Sequence, residues 1–157
     1  MRCRNFRENN VDELALQLRQ LIYESALRDC VIPTKDELSV LVKRRGADVA
    51  RALGELHDAH QIVLQADGGE VLMAPPFSAV PTSFEVTAGE RTWFANCIWD
   101  AMGVAAQIGE PVTIATSCGC CGDALGLNVP NPWLDSDSRV VHFALPAARW
   151  WDDIVFN

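Results

Sequence analysis

The chain has no uninterrupted apolar run near the roughly 18 residues that a membrane-spanning helix needs, and its start, "MRCRNFRENN", lacks the apolar core of a secretion signal. A cytoplasmic protein with no membrane partner is the expectation. Basic side chains are also scarce: 13 Lys and Arg face 21 Asp and Glu. Residues 1–80 hold ten basic against twelve acidic side chains, and residues 81–157 hold three against nine. Nucleic-acid affinity rests on clustered Lys and Arg, so neither half reads as a phosphate binder and no nucleic-acid partner is expected. A zinc ribbon is excluded as well, because the second pair of cysteines it requires is missing.

What is present is ordinary globular material. At 157 residues, 49% hydrophobic and 22% charged, the chain can build one good core or two small ones. The spacing of Leu14, Leu18, Leu21, Ile22 and Ser25 predicts an amphipathic helix over 11–28, with Asn10 as its N-cap. "IPTKDELSVLVKRRG" predicts a second helix, capped by Thr34 with Glu37 completing a capping box and stopped by Gly46. A third, over 47–59, presents Val49, Leu53 and Leu56. "IVLQADGGEVLMA" then reads as a hairpin around Asp67, Gly68 and Gly69. Residues 1–80 therefore read as a winged-helix-like domain. Its third helix is a poor DNA reader, since Asp48, Glu55 and Asp58 outnumber Arg51. Lys43, Arg44 and Arg45 read as a solvated turn, and the module as structural or substrate-covering.

The prolines of "APPFSAVPTSF" mark a boundary. Residues 81–157 then alternate: "SFEVTA" as strand, 93–108 as helix, "PVTIAT", "ALGLNV" and "RVVHFALP" as strands, and "AARWWDDI" as a short helix. The fold class is α+β, a helical winged domain followed by a small mixed β-sheet domain with helices. His57, His60 and His142 have no partners placed to make a metal site and read as surface or hydrogen-bonded histidines.

Six cysteines in a reducing compartment point to thiolate or metal chemistry rather than disulfides. Cys3 and Cys30 stand alone and read as a terminal thiol and a small buried hydrophobe. Within "RTWFANCIWDAMG", Cys97 and Asp100 are three apart, on one face of a helix whose start favours a thiolate. Within "TSCGCCGDALG", Cys118, Cys120 and Cys121 crowd a turn between strands and would suit a soft cation such as Cu(I), Zn(II) or Hg(II). A structural turn of small residues, or half a zinc knuckle, accounts for the same spacing.

The run "GERTWFANCIWDAMGVAAQIGEPVTIATSC", followed by "LNVP" and "VVHFALPAARWWDDIVF", resembles the alkylmercury lyases, and the helical half resembles their N-terminal domain. The resemblance implies cleavage of carbon–mercury bonds: a pair of cysteine thiolates takes the mercury and an aspartate passes a proton to the leaving carbon. By position, Cys97 resembles the first catalytic cysteine and Asp100 the catalytic aspartate. Cys118 resembles a further cysteine of structural role. No cofactor is implied, mercury(II) is a product, and the partners are an organomercurial and either small thiols or a mercury-accepting protein. In the family the second catalytic cysteine follows the segment resembling "WWDDIVF", where this chain stops at Asn157. Either the C-terminal part of the domain is missing, which would expose a sheet edge and favour self-association, or Cys120 or Cys121 supplies the second thiolate. A non-catalytic thiolate metal binder for mercury, copper or zinc, and a metal-sensing winged-helix regulator, are the alternatives.

Overall fold

The computed structural model describes residues 11–130, 139–143 and 145–155; Cys3, Asn10 and Ala144 lie outside them. Helix α1, Glu13–Asp29, is capped by Asp12 rather than by Asn10. The Asp12 carboxylate accepts the Ala15 amide at 2.8 Å, and an acid two places later makes the better cap. Ala15, Leu18, Ile22 and Ala26 recur on one face and are buried. Helix α2, Lys35–Val42, carries the expected capping box: the Glu37 amide donates to Thr34 Oγ1 at 3.3 Å, and the Thr34 amide to Glu37 Oε2 at 2.8 Å. It stops at Lys43, which takes the left-handed conformation (φ 53°), so Gly46 opens the next helix instead of closing this one. In α3, Gly46–Asp58, the buried face is Val49, Ala52, Leu53 and Leu56.

Strands β1, Val63–Leu64, and β2, Val71–Ala74, pair antiparallel across the expected turn, where Gly68 has φ 69° and the Gly69 amide donates to Asp67 Oδ1 at 2.9 Å. The prolines do not simply interrupt structure. Pro75 and Pro76 make the tight connection to a third strand, β3 (Phe77–Ser78), antiparallel to β2. Phe77 is buried in the core of the following sheet and bridges to Ala95, so this strand belongs to both halves.

That second sheet corrects the expected helix over 93–108. Arg91–Phe94 is a strand, β5, folded back on β4 (Glu85–Ala88) through a turn in which Gly89 has φ 58°, with Trp93 opposite Val86. The left-handed glycine turns the chain before any helix can start. Helix α4, Ile98–Ile108, follows and buries Ala101, Val104 and Ala105. Strands β6, Val112–Ser117, and β7, Ala124–Val129, complete the order β5-β4-β6-β7. The α+β class stands. Every described pairing is antiparallel rather than mixed.

"RVVHFALP" forms no strand in its described residues. Val140 and Val141 are exposed, so no half-buried face fixes a register. "AARWWDDI" becomes a 3₁₀ turn over Ala147–Asp152. Among the described residues, no helix is long and apolar enough to cross a membrane.

Two apolar clusters result, one under α1–α3 and the first sheet, the other between α4 and the second sheet. Their link is specific. Trp93 is 2% exposed, and its indole N–H donates to the Ala26 carbonyl of α1 at 2.7 Å. The Tyr23 hydroxyl donates to the Pro75 carbonyl at 2.8 Å. Gly103 lets α4 lie against the proline turn, since a Cβ there would sit 3.1 Å from Pro76 Cβ.

Replacing Trp93 by Phe removes the buried donor and leaves space around the ring. Stability should fall by about 2 kcal/mol, the scale of a lost buried hydrogen bond plus a packing defect. Urea unfolding followed by circular dichroism measures it.

Candidate active site

The site forms where β5 hands over to α4. Ala95 is pinned by its bridge to Phe77 and by its amide, which donates to the Phe84 carbonyl at 2.9 Å. Two residues later Cys97 is extended (φ −154°, ψ 179°) and serves as the N-cap of α4, its sulfur accepting the Asp100 amide at 3.5 Å. The first helical turn then carries Asp100 back toward the thiol. Thiol and carboxyl stand close enough to shift each other's ionisation, and Asn96 Nδ2 donates to Asp100 Oδ2 at 2.9 Å. The other amide atom, Asn96 Oδ1, is buried without a hydrogen-bond partner among the described residues.

These three side chains face a cavity of about 520 Å³ walled by Met73, Phe84, Trp99, Phe143 and Trp150 and bordered by His142. Apolar walls explain the electrostatics. Burial raises the Asp100 carboxyl above its ordinary range, and the bonds from Asn96 and Cys97 only partly oppose this. Burial likewise raises the Cys97 thiol; the Asp100 amide works against the shift, while the Asp100 charge adds to it. Tyr23 is raised too, by burial; the Arg19 charge opposes this, and the smaller influence of the Asp100 charge adds to it. The site therefore favours protonated forms: a thiol next to an acid that keeps its proton more readily than a solvated one.

Of the aromatics flanking Cys97 in sequence, only Trp99 lines the cavity. Trp93 is a core residue of the sheet, because its strand turns it inward. Three contributors carried no sequence signal strong enough to single them out. Asn96 touches Asp100 at helix-like spacing, but the two are joined across a cap. His142 and Trp150 arrive from a distant segment.

Cys118, Cys120 and Cys121 lie on the turn from β6 to β7 and do not line this cavity. Among the described residues, no group of three or more His, Cys, Asp or Glu side chains is gathered to hold a metal ion. The structure thus joins Cys97 to Asp100 and keeps the cysteine turn apart from them. His57 is engaged by the backbone, its Nδ1 3.4 Å from the Leu64 amide and from the Ile62 carbonyl oxygen. His60 stacks on Trp151 with ring centres 4.1 Å apart.

Comparison with known proteins bears on the family and the fold. The profile of the alkylmercury lyase family, MerB, matches residues 77–156, just over half of the chain. Among solved structures, the mercury-bound form of MerB2 is similar, with a TM-score of 0.63 and 23% sequence identity over 82% of this chain. The match spans 61% of that protein's length. No curated protein sequence matches.

The raised carboxyl gives a pH signature. A group whose pKa is higher folded than unfolded stabilises the fold below its unfolded value, about 4 for Asp, and that stability is lost as pH rises through the folded value. Asp100→Asn removes the titration. The variant should gain stability relative to the parent as pH is raised from about 4 toward neutrality. Urea unfolding of both proteins at a series of pH values measures this; a constant difference would contradict the raised carboxyl.

Proposed function

Because the chain belongs to the alkylmercury lyase family, we propose that it cleaves the carbon–mercury bond of organomercurials by protonolysis at Cys97 and Asp100. The observation that carries the reading is the Cys97 sulfur capping the helical turn that holds a half-buried Asp100, both facing one apolar cavity, with the carboxyl raised by burial. In this reading Asp100 delivers its proton to carbon as the Cys97 sulfur bonds mercury. The thiol proton then passes to the carboxylate so formed and restores the acid. The carbon–mercury bond breaks with its electron pair remaining on carbon, so hydrocarbon leaves and mercury(II) stays on sulfur. One proton leaves sulfur and one reaches carbon, and nothing is oxidised.

Soft mercury prefers sulfur to oxygen, which assigns the metal to Cys97 and the proton to Asp100. A second sulfur on the metal would make carbon more basic. No other cysteine lines the cavity among the described residues, and a small thiol from solution can fill that role. Asn96 holds the carboxyl in place. The apolar walls exclude water that would otherwise solvate the acid and weaken its drive to protonate carbon. No resident cofactor takes part, and a reducing cytoplasmic setting suits the free thiols.

Hydrocarbon release from phenylmercury, with excess thiol present to strip the product, tests the proposal. Cys97→Ala should abolish release. Asp100→Asn should still bind mercury but release benzene about 100-fold more slowly, the usual scale of lost acid–base catalysis. A parent protein that binds phenylmercury yet releases no benzene above a thiol-only control would replace the lyase reading with that of a mercury-binding protein.

A further inference from the structure

Helix α3 closes with a histidine where a glycine is usual. The His60 amide donates to the His57 carbonyl and the Gln61 amide to the Leu56 carbonyl, both at 2.9 Å, which is the paired closure of a Schellman motif. The residue just past the cap must then be left-handed, and His60 holds φ 58°. Glycine takes that conformation freely, whereas a Cβ there is crowded by its own backbone. His60 is also exposed, so burial in the core does not offset the strain. What its ring does is lie flat on the indole of Trp151, with ring centres 4.1 Å apart and planes within 5° of parallel. A strained residue that makes a specific long-range contact calls for a reason beyond the turn itself.

Trp151 belongs to the segment 145–155, which supplies one wall of the Cys97 cavity through Trp150, Trp151, Ile154 and Val155. Two of the bonds that shape this segment are internal to it: the Trp150 indole N–H donates to the Leu145 carbonyl at 3.1 Å, and Arg149 pairs with Asp152 at 3.0 Å. They set its shape but not its seat on the cavity. The stack with His60 reaches outside the segment, to the end of a helix in the other half of the chain. Parallel rings in contact fix a plane as well as a distance, so the stack orients Trp151 at the cavity's edge.

We propose that His60 is a positioning residue for the cavity: its ring holds Trp151, and with it the wall formed by 145–155, over Cys97 and Asp100. The helical half of the chain thereby keeps water and bulky reagents from a site built in the sheet half. This role depends on the cavity alone and not on the reaction assigned to it.

Alkylation of the resting full chain tests it without turnover. Parent and variants are treated with iodoacetamide at one pH, and the labelling of each cysteine is followed by peptide mass spectrometry. His60→Gly deletes the ring and suits the left-handed backbone, so its urea midpoint should equal or exceed the parent's. Its Cys97 should nevertheless label about 3- to 10-fold faster, the scale on which losing one aromatic stack opens a covered site. Cys30, half-buried as the C-cap of α1, and the exposed Cys120 should keep their rates. His60→Asn, which tolerates the same backbone without a ring, should behave as His60→Gly. Trp151→Leu should accelerate Cys97 as well, and His60→Gly should add nothing in that background. A histidine that served only the end of α3 would shift the urea midpoint and leave Cys97 alone. Unchanged Cys97 labelling in both His60 variants, an equal rise at Cys30, or a full further acceleration in the Trp151→Leu background overturns the assignment.

Discussion

Helices ordinarily begin with an oxygen: a Ser, Thr, Asp or Asn side chain accepts one of the free amides of the first turn. Here α4 begins with the sulfur of Cys97, a weaker acceptor, and the amide it receives is that of Asp100. The cap fixes the backbone at both residues that matter, because the residue accepting the bond and the residue donating it are the proposed nucleophile and acid. Moving the helix start by one residue would rotate Asp100 by about 100° and aim it away from the thiol. The β4–β5 hairpin, the Phe77 to Ala95 bridge and the close seat of Gly103 on Pro76 all hold that start in place.

Cavity polarity follows from the same junction. The thiol and carboxyl leave the sheet edge into a space walled by Met73, Phe84, Phe143 and Trp150. Side chains from widely separated segments remove water from the pair, and desolvation is the leading cause of both upward shifts. Polarity is restored beside the carboxyl. Asn96 donates to it while its own Oδ1 is buried without a partner among the described residues, a local cost that keeps the acid oriented without neutralising it.

The three N-terminal helices were readable because each carries a local signal: the Thr34 and Glu37 box in α2 and the 3–4 spacing in α1 and α3. Where reading failed, tertiary structure had overridden composition. "RTWF" looks like the start of an apolar helix, yet a left-handed glycine two residues earlier and a pairing partner at Val86 make it a strand. "RVVHFALP" has strand-forming residues, but Val140 and Val141 among them are exposed. Cys97 and Asp100 could be found from their spacing and from the family resemblance. Asn96, His142 and Trp150 could not, since their proximity to the pair depends on how β5 ends and where the later segment folds back.

The cysteines of the sheet domain sit in contrasting surroundings. At Cys97 desolvation is the leading influence and the thiol holds its proton more tightly, which suits the proposed proton transfer to carbon. Cys120 and Cys121 are exposed on the turn from β6 to β7. Both strands that flank β4 run in the same direction, so Cys97 and that turn emerge at one end of the sheet, separated by the width of a strand. Of these thiols Cys97 alone faces the apolar cavity. Enclosure, not the thiol group itself, is what sets it apart: the same sulfur in the solvated turn would meet neither the desolvation nor the neighbouring carboxyl that shape its ionisation.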